Sequence, residues 1–410
     1  MHTHTLVIGA GQAGLALSHH LVVADHDHVV LDRGRIAERW RSERPDSFRL
    51  LTPNWINRLP GDRPPDDPHG FADRATVVDR FTDWATGFGA PVHTGTTVRT
   101  VRRRGRRWEV LTDRGRYEAE QVVVATGHMD RPTVPALAAS LPPEVFQVHS
   151  SRYRNPALLP PGTTLVVGAG PSGQQIADEL ARAGRRVVLA AGTHHALRRR
   201  YRGSDVYHWM QVLGLLDRTV DTLPDPGAAA ARSRSSVLEA GHEDLDLRRL
   251  HRHGVTVVGR LSGVDGGVLH FGGDLARDLA AADANAVRLR RLVDEHVDRT
   301  GTTAPDEDVP PPRVPRWAQS TVRSLDLRDR QVTSVVWATG YHRDWSWVQA
   351  DVFGRSGEPI HWRGITAEPG LAFLGLRWLY RRDSGFIGGV GRDAAHLAER
   401  LLADRVPVPG

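Results

Sequence analysis

The sequence contains no cysteine and no lysine, and only three methionines. Without thiols it can form no disulfide, no thiolate metal site, no covalent c-type haem and no Cys-x-x-Cys redox pair. Without lysine it has no Walker-type phosphate lysine, and it also lacks a Gly-x-Ser-x-Gly nucleophile elbow. The 21 histidines are not joined by carboxylates at ligand spacing, so no metal site is expected. No apolar run approaches the length that spans a bilayer. Aromatic residues make up only 6%, although eleven of them are tryptophan. The formal charge of +6 is carried by arginine, which stays ionised throughout the accessible range. Its clusters, 102–107 and 198–202, are short and scattered and read as solvated surface, so neither nucleic acid nor a membrane is expected as a partner. The first strand begins almost at the initiator Met with no signal segment before it, which predicts a cytoplasmic protein.

What is present is an ordinary globular composition, 40% hydrophobic and 25% charged, in a 410-residue chain long enough for two domains. Val7-Ile8-Gly9-Ala10-Gly11-Gln12-Ala13-Gly14 follows an apolar run and opens a segment of helical spacing. Val166-Val167-Gly168-Ala169-Gly170-Pro171-Ser172-Gly173 does the same later in the chain. In a Gly-x-Gly-x-x-Gly turn the first glycine makes the bend and the second admits a pyrophosphate. The third lets helix and strand pack closely, and the helix N-terminus faces the phosphate charge. Two such turns predict a protein that holds two dinucleotides against each other.

The spacing predicts strands over 6–8 and 28–31 around a helix over 13–23. Asp32 then lies 18 positions past Gly14, where a carboxylate accepts from an adenosine ribose. The Trp- and Arg-rich loop after residue 35 offers stacking faces and phosphate donors. Residues 76–88 read as a helix, and 97–110 and 115–124 as a hairpin ending in Ala125-Thr126-Gly127. The second unit starts at Thr164. Its second strand, 186–191, ends without a carboxylate and is followed by Arg198, Arg199 and Arg200, the pattern of a 2′-phosphate site. A long helix is predicted over 276–297 and a linker over 304–315. A strand over 332–337 runs into a repeated Ala338-Thr339-Gly340-Tyr341. The expected fold is α/β, with two Rossmann-type dinucleotide-binding domains (three-layer ββα/βαβ), the second inserted in the first. The first domain covers 1–155 and returns over 331–410, with 160–330 between. The return holds a strand near 371–374, a glycine-rich turn over 385–391 and a helix over 393–402.

These turns, with Trp40-Arg41 and His149-Ser-Ser-Arg-Tyr153-Arg154, resemble the flavin-containing monooxygenase-like flavoproteins, a group that also takes in Baeyer–Villiger and N-hydroxylating monooxygenases. The likeness is to its bacterial FAD/NAD(P)-binding oxidoreductase branch. It implies FAD in the first domain and NADPH in the second. It further implies hydride transfer to the flavin, then oxygenation by O2 of a small organic substrate through a C4a-(hydro)peroxyflavin. The implied cofactor contacts are Gly9, Gly11, Gln12, Ala13, Gly14, Asp32, Arg33, Trp40, Arg41, Thr52, Val98, Ala125, Thr126 and Gly127 on the first side. On the second side and the return they are Gly168, Gly170, Pro171, Ser172, Gly173, Arg198, Arg199, Arg200, Thr339, Gly340, Tyr341, Gly391 and Asp393. Asn54, from a loop resembling one near the reactive face of the flavin, and Arg154 are the candidate catalytic groups. The family's Phe-x-Gly before the histidine is replaced here by Pro143 and Val145. A disulfide reductase shares both glycine turns but requires the cysteines this chain lacks. An NADPH oxidase or reductase without oxygenation, a nucleotide-sensing flavoprotein and a homodimeric assembly all remain open.

Overall fold

The computed structural model describes residues 1–225 and 244–403. Two sheets organise them. The first contains β1 (His2–Ile8), β2 (His28–Leu31), β3 (Val92–His93), β4 (Val98–Arg104), β5 (Arg107–Thr112) and β6 (Gly115–Val124). Two strands from far along the chain join it, β19 (Val348–Gln349) and β20 (Leu371–Phe373). Their order is β19-β4-β5-β6-β1-β2-β3, with β20 also on β6. Opposite β1, β6 is long enough to serve two neighbours on one edge: residues 115–119 pair with β5 and 122–124 with β20. The C-terminal segment thereby completes the first sheet.

The second sheet is parallel throughout, in the order β13-β10-β9-β17-β8. Its members are β8 (Phe146–His149), β9 (Thr163–Val167), β10 (Arg186–Ala190), β13 (Thr256–Val258) and β17 (Val332–Trp337). Both faces are covered, so β9 is buried along its whole length. Val166 packs into one core with Ile176, Leu180 and Leu250, while Leu165 and Val167 point to the other face. That second face is closed by the antiparallel meander β14 (Leu261–Asp265), β15 (Val268–Phe271) and β16 (Ser324–Asp326). A small hairpin, β11 (Arg200–Tyr201) and β12 (Ser204–Asp205), precedes a helical excursion.

The helices that position the site are α1 (Gln12–Val23), α2 (Glu38–Ser42), α3 (Arg74–Gly87), α4 (Pro171–Arg182), α5 (Val206–Val212), α6 (Leu247–Arg252), α7 (Leu275–Thr300) and α8 (Val390–Ala403). α8 packs on α1, and the Gln121 amide donates to Leu401 O at 3.0 Å, fastening the return helix to the first sheet. No helix among the described residues is long and apolar enough to cross a membrane.

Two features differ from the expectation. Residues 97–110 are not one strand, because Gly105 (φ +63°) turns the chain between β4 and β5. The crossings between the sheets also lie elsewhere than at 155 and 331: β8 and β17 both belong to the second sheet. Apolar alternation marks a strand, but its hydrogen-bonded neighbours lie far away in sequence, so local pattern cannot assign it to a sheet. The crossings themselves are β7 (Arg131–Pro132) and β18 (Tyr341–His342), which pair antiparallel.

Candidate functional site

The two glycine turns have the same backbone. Gly9 and Gly168 both sit at φ +113°, a region closed to side-chain-bearing residues. A Cβ on Gly14 would lie 1.8 Å from Gly9 O, and one on Gly173 would lie 1.8 Å from Gly168 O. Each turn also rests on its own Ala-Thr-Gly segment. A Cβ on Gly9 would come within 2.7 Å of Ala125 O, and one on Gly168 within 2.4 Å of Ala338 O. Thr126 lines the same contact. By contrast, a Cβ on Gly11 or Gly170 would meet nothing within 4 Å, so the backbone at the helix mouth is bare.

Those bare mouths show what the turns can hold. α1 and α4 begin at Gly11 and Gly170 with no side-chain cap, Pro171 occupying the first turn of α4. α3, α5 and α6 are each closed by an aspartate, Asp73, Asp205 and Asp246. First-turn N–H groups lacking an intrahelical partner need an acceptor, and with the helix dipole they favour an anion. The residues therefore fit a dinucleotide pyrophosphate at each turn.

Around the first turn, Asp32 accepts from Ala10 N and Gly34 N, both at 2.7 Å, which fixes its carboxylate at the rim. Gly95 N donates to Gly34 O and Thr96 N to Asp32 O, so the segment entering Val98 runs alongside. Arg33 is exposed and lies 3.7 Å from Asp130. The return segment covers the turn: a Cβ on Gly375 would strike Ala13 Cβ, and Gln12 Nε2 donates to Gly385 O at 2.9 Å. His128, next to Gly127, faces Arg377, Arg343, Arg44 and Arg39. Burial first, and then these guanidiniums, push its pKa down to about 3. It is a neutral ring within a cationic wall.

Around the second turn, Gln174 Nε2 donates to Ala169 O and shapes the backbone beside Ser172. The three arginines expected here for a phosphate are engaged elsewhere. Arg198 pairs with Asp244 and Glu307 at 3.1 and 2.8 Å. Arg199 has no exposed surface; it pairs with Asp205 at 2.9 Å, donates to Leu51 O at 2.6 Å and lies 4.2 Å from the Phe71 ring. It clamps the insertion to the first domain. Arg200 turns back to Gly203 O. In their place is Arg260, which follows β13 and is exposed. Its guanidinium lies over Gly192, 2.9 Å from where a Cβ would stand, beyond the end of β10. No sequence signal marked it, because adjacency of β13 and β10 is a sheet property.

Both candidate catalytic groups are hydrogen-bonded within the loops that carry them. Asn54 donates from Nδ2 to Asp67 O (2.9 Å) and accepts at Oδ1 from Ala72 N (3.0 Å). Arg154 Nη1 donates to the carbonyls of Arg44, Ser151 and Tyr153. These interactions tie Asn54 and Arg154 to the loop residues around them. Thr52 donates to Asn57 Oδ1. Trp40 is half-buried against Phe48 with Arg44 over its ring at 5.0 Å, and Arg41 is tied to Ile36 O and Thr82. Gly391 lies against Pro60. Asp393 is 2% exposed and faces Arg381 at 3.5 Å, tying the return loop to α8.

Both Ala-Thr-Gly segments lead straight into the crossing. Thr339 Oγ1 donates to Thr133 O, Thr133 N to Gly340 O, and Tyr341 sits edge-on to His149 at 5.1 Å. The two cradles are thus joined at one pinned pair of strands. Among the described residues no cluster could hold a metal ion.

A family model described as pyridine nucleotide-disulphide oxidoreductase matches residues 6–211. The chain is 34% identical over 403 residues to an uncharacterized oxidoreductase CzcO-like protein of Geobacillus kaustophilus, covering 97% of each. Among solved structures it resembles a flavin-containing monooxygenase from Stenotrophomonas maltophilia (TM-score 0.65, 18% identity, 99% of each chain). It also resembles the bacillithiol disulfide reductase of Staphylococcus aureus (TM-score 0.61, 13% identity, 99% of this chain and 100% of that one).

Proposed function

The chain belongs to the pyridine nucleotide-disulphide oxidoreductase family and is an oxidoreductase, and from that premise we propose that it is an FAD-dependent, NADPH-consuming monooxygenase of a small organic substrate. The observation that carries the reading is the duplicated cradle: two uncapped helix mouths, each backed by its own Ala-Thr-Gly segment, joined at one crossing in a chain without cysteine. The likeness to the Stenotrophomonas monooxygenase along nearly the whole chain supports it.

The chemistry a bound FAD supplies is acceptance of hydride from NADPH and, once reduced, activation of O2 for transfer to an amine, a sulfide or a carbonyl. The protein's part is binding and exclusion. The first-turn N–H groups of α1 hold the flavin nucleotide's pyrophosphate, and Asp32, fixed by two backbone donors, accepts from its ribose. The mouth of α4 holds the NADPH pyrophosphate, and Arg260 over Gly192 takes the 2′-phosphate where an NAD site keeps a carboxylate. The β7/β18 pair fixes how far the cradles separate. An interdomain cluster, with Val206 and Met210 buried and Leu51, Ile56 and Phe386 partly so, closes the boundary between the domains against water.

The test is stopped-flow mixing of NADPH-reduced protein with oxygenated buffer. The reading expects yellow protein, bleaching by NADPH, and reoxidation through a long-lived absorbance distinct from oxidised and reduced flavin. Stoichiometric peroxide from every organic substrate offered makes it an oxidase. Colourless protein that takes up no FAD ends the reading.

A further inference from the structure

The second domain reaches the first through more than the crossing strands, and one side chain does so with direction. Arg199 stands at the foot of the β11–β12 hairpin, which ion pairs and hydrogen bonds fasten within the insertion. Arg198 pairs with Asp244 and Glu307, the Tyr201 hydroxyl donates to Asp294 of α7 at 2.9 Å, and Arg202 pairs with Asp294 at 2.7 Å. The backbone N–H of Arg199 itself donates to Asp244 at 2.6 Å. From this anchored base its side chain turns the other way. Nη1 donates to Leu51 O at 2.6 Å, and the guanidinium lies 4.2 Å from the centre of the Phe71 ring, both in the first domain.

Leu51 and Phe71 belong to one unit. Leu50 N donates to Ala72 O at 2.8 Å, Asn54 N to Gly70 O at 2.9 Å and Ala72 N to Asn54 Oδ1 at 3.0 Å, so residues 50–54 and 70–72 are held together. That unit leads on to the first cradle. Gly388 of the return loop lies against Ile56 O, and Gly385 O of the same loop accepts from Gln12 at the mouth of α1. Direct contacts therefore run from the insertion to the first glycine turn, with Arg199 in the middle of the series.

Arg199 brings a charge with no exposed surface, paired to Asp205 at 2.9 Å, to a boundary already packed by Leu51, Ile56, Val206, Met210 and Phe386. As a source of stability a buried ion pair does no better than well-packed apolar side chains. Apolar burial, however, is non-directional and tolerates a small slide of one surface on the other. A guanidinium bonded to a carbonyl fixes distance and angle. We propose that Arg199 is a positioning residue for hydride transfer: it sets the register of the second cradle against the first, so that the nicotinamide meets the flavin at reacting distance. The inference rests on the FAD/NADPH reading and holds whether or not oxygenation follows.

The experiment is anaerobic stopped-flow reduction of the FAD-loaded protein by NADPH, at concentrations that separate the limiting rate from the nucleotide's dissociation constant. Arg199→Met should lower the limiting rate about tenfold to a hundredfold, the scale set by a misplacement of about 1 Å, with FAD content and dissociation constant unchanged. The long-wavelength charge-transfer absorbance of nicotinamide stacked on flavin should weaken in step. Arg199→Lys, which keeps the charge, should recover part of both. If Arg199→Met does not fold, adding Asp205→Asn removes the carboxylate it strands, and the double variant should show the same loss of rate. An unchanged limiting rate in a folded variant overturns the proposal. So does a loss confined to NADPH affinity, which puts Arg199 on the nucleotide, or a fall in rate that only follows lost FAD, which makes its role structural. Wild-type protein that NADPH does not reduce ends the FAD/NADPH reading and this inference with it. Reduction followed by peroxide alone ends the oxygenation reading and leaves the role of Arg199 supported.

Discussion

The two cradles share a backbone and differ at the rim. Gly9 and Gly168 have the same φ, Gly14 and Gly173 make the same 1.8 Å approach, and each turn leans on an Ala-Thr-Gly segment. Past the second strand the likeness ends. Asp32 stands after β2, whereas β10 ends in alanine and glycine under the guanidinium of Arg260. On the proposed reading the glycine turn seats either pyrophosphate, and the choice of nucleotide falls to the end of the second strand.

The largest effect should come from filling the shared contact. Gly14→Ala places a methyl against a carbonyl that cannot retreat, so the first cradle should lose FAD outright, seen as absence of the flavin spectrum. Gly173→Ala should keep the yellow colour and lose reduction by NADPH, by about a hundredfold or more given the several kcal/mol such overpacking costs. If either change abolishes both properties, the cradles are not separable seats.

Next in size is the rim. Arg260→Ala should weaken NADPH binding about tenfold to a hundredfold and leave NADH unchanged, as read by reduction kinetics with each nucleotide. An equal loss for both would place Arg260 on the common part of the nucleotide and remove the distinction drawn between the rims.

The smallest effect concerns pH. Beneath the first sheet His28 is buried, accepting from Ser18 and bonded to His26 O, each at 2.8 Å. The second sheet has Thr164 against Ser334, neutral at every pH. Burial holds the His28 pKa below its ordinary value of 6.5. Its contribution is present above that value and is lost as pH falls through the folded one, because the unfolded chain takes up a proton the folded chain refuses. His28 should contribute at most about 1.4 kcal/mol per pH unit to the fall of first-domain stability below pH 6.5 in urea melts, beside the contribution of the depressed His128, and His28→Gln should reduce the slope. A slope unaffected by His28→Gln would assign the acid sensitivity to another group.

The parts of the fold that were legible in sequence are those built from contacts within a few residues. Both strand–turn–helix units, the return strand and helix, and the position of Asp32 follow from apolar periodicity and glycine spacing. The contacts that local pattern could not show are those whose partners are remote. Asn54 is tied to residues 13 and 18 positions away, and Arg199 reaches Leu51 across 148. An arginine run after a second strand looks like a phosphate site until its acids, Asp205, Asp244 and Glu307, are seen to fold back on it.

The sequence by itself determined that there are two pyrophosphate seats and that no thiol chemistry accompanies them. Backbone clearance and the absence of a residue type are local facts, open to reading one position at a time. Only the tertiary structure decided which acids pair with Arg198 and Arg199 and which sheet owns β8 and β17. A charged side chain is satisfied by whatever acceptor the fold brings within about 3 Å, and chain order does not encode that neighbour.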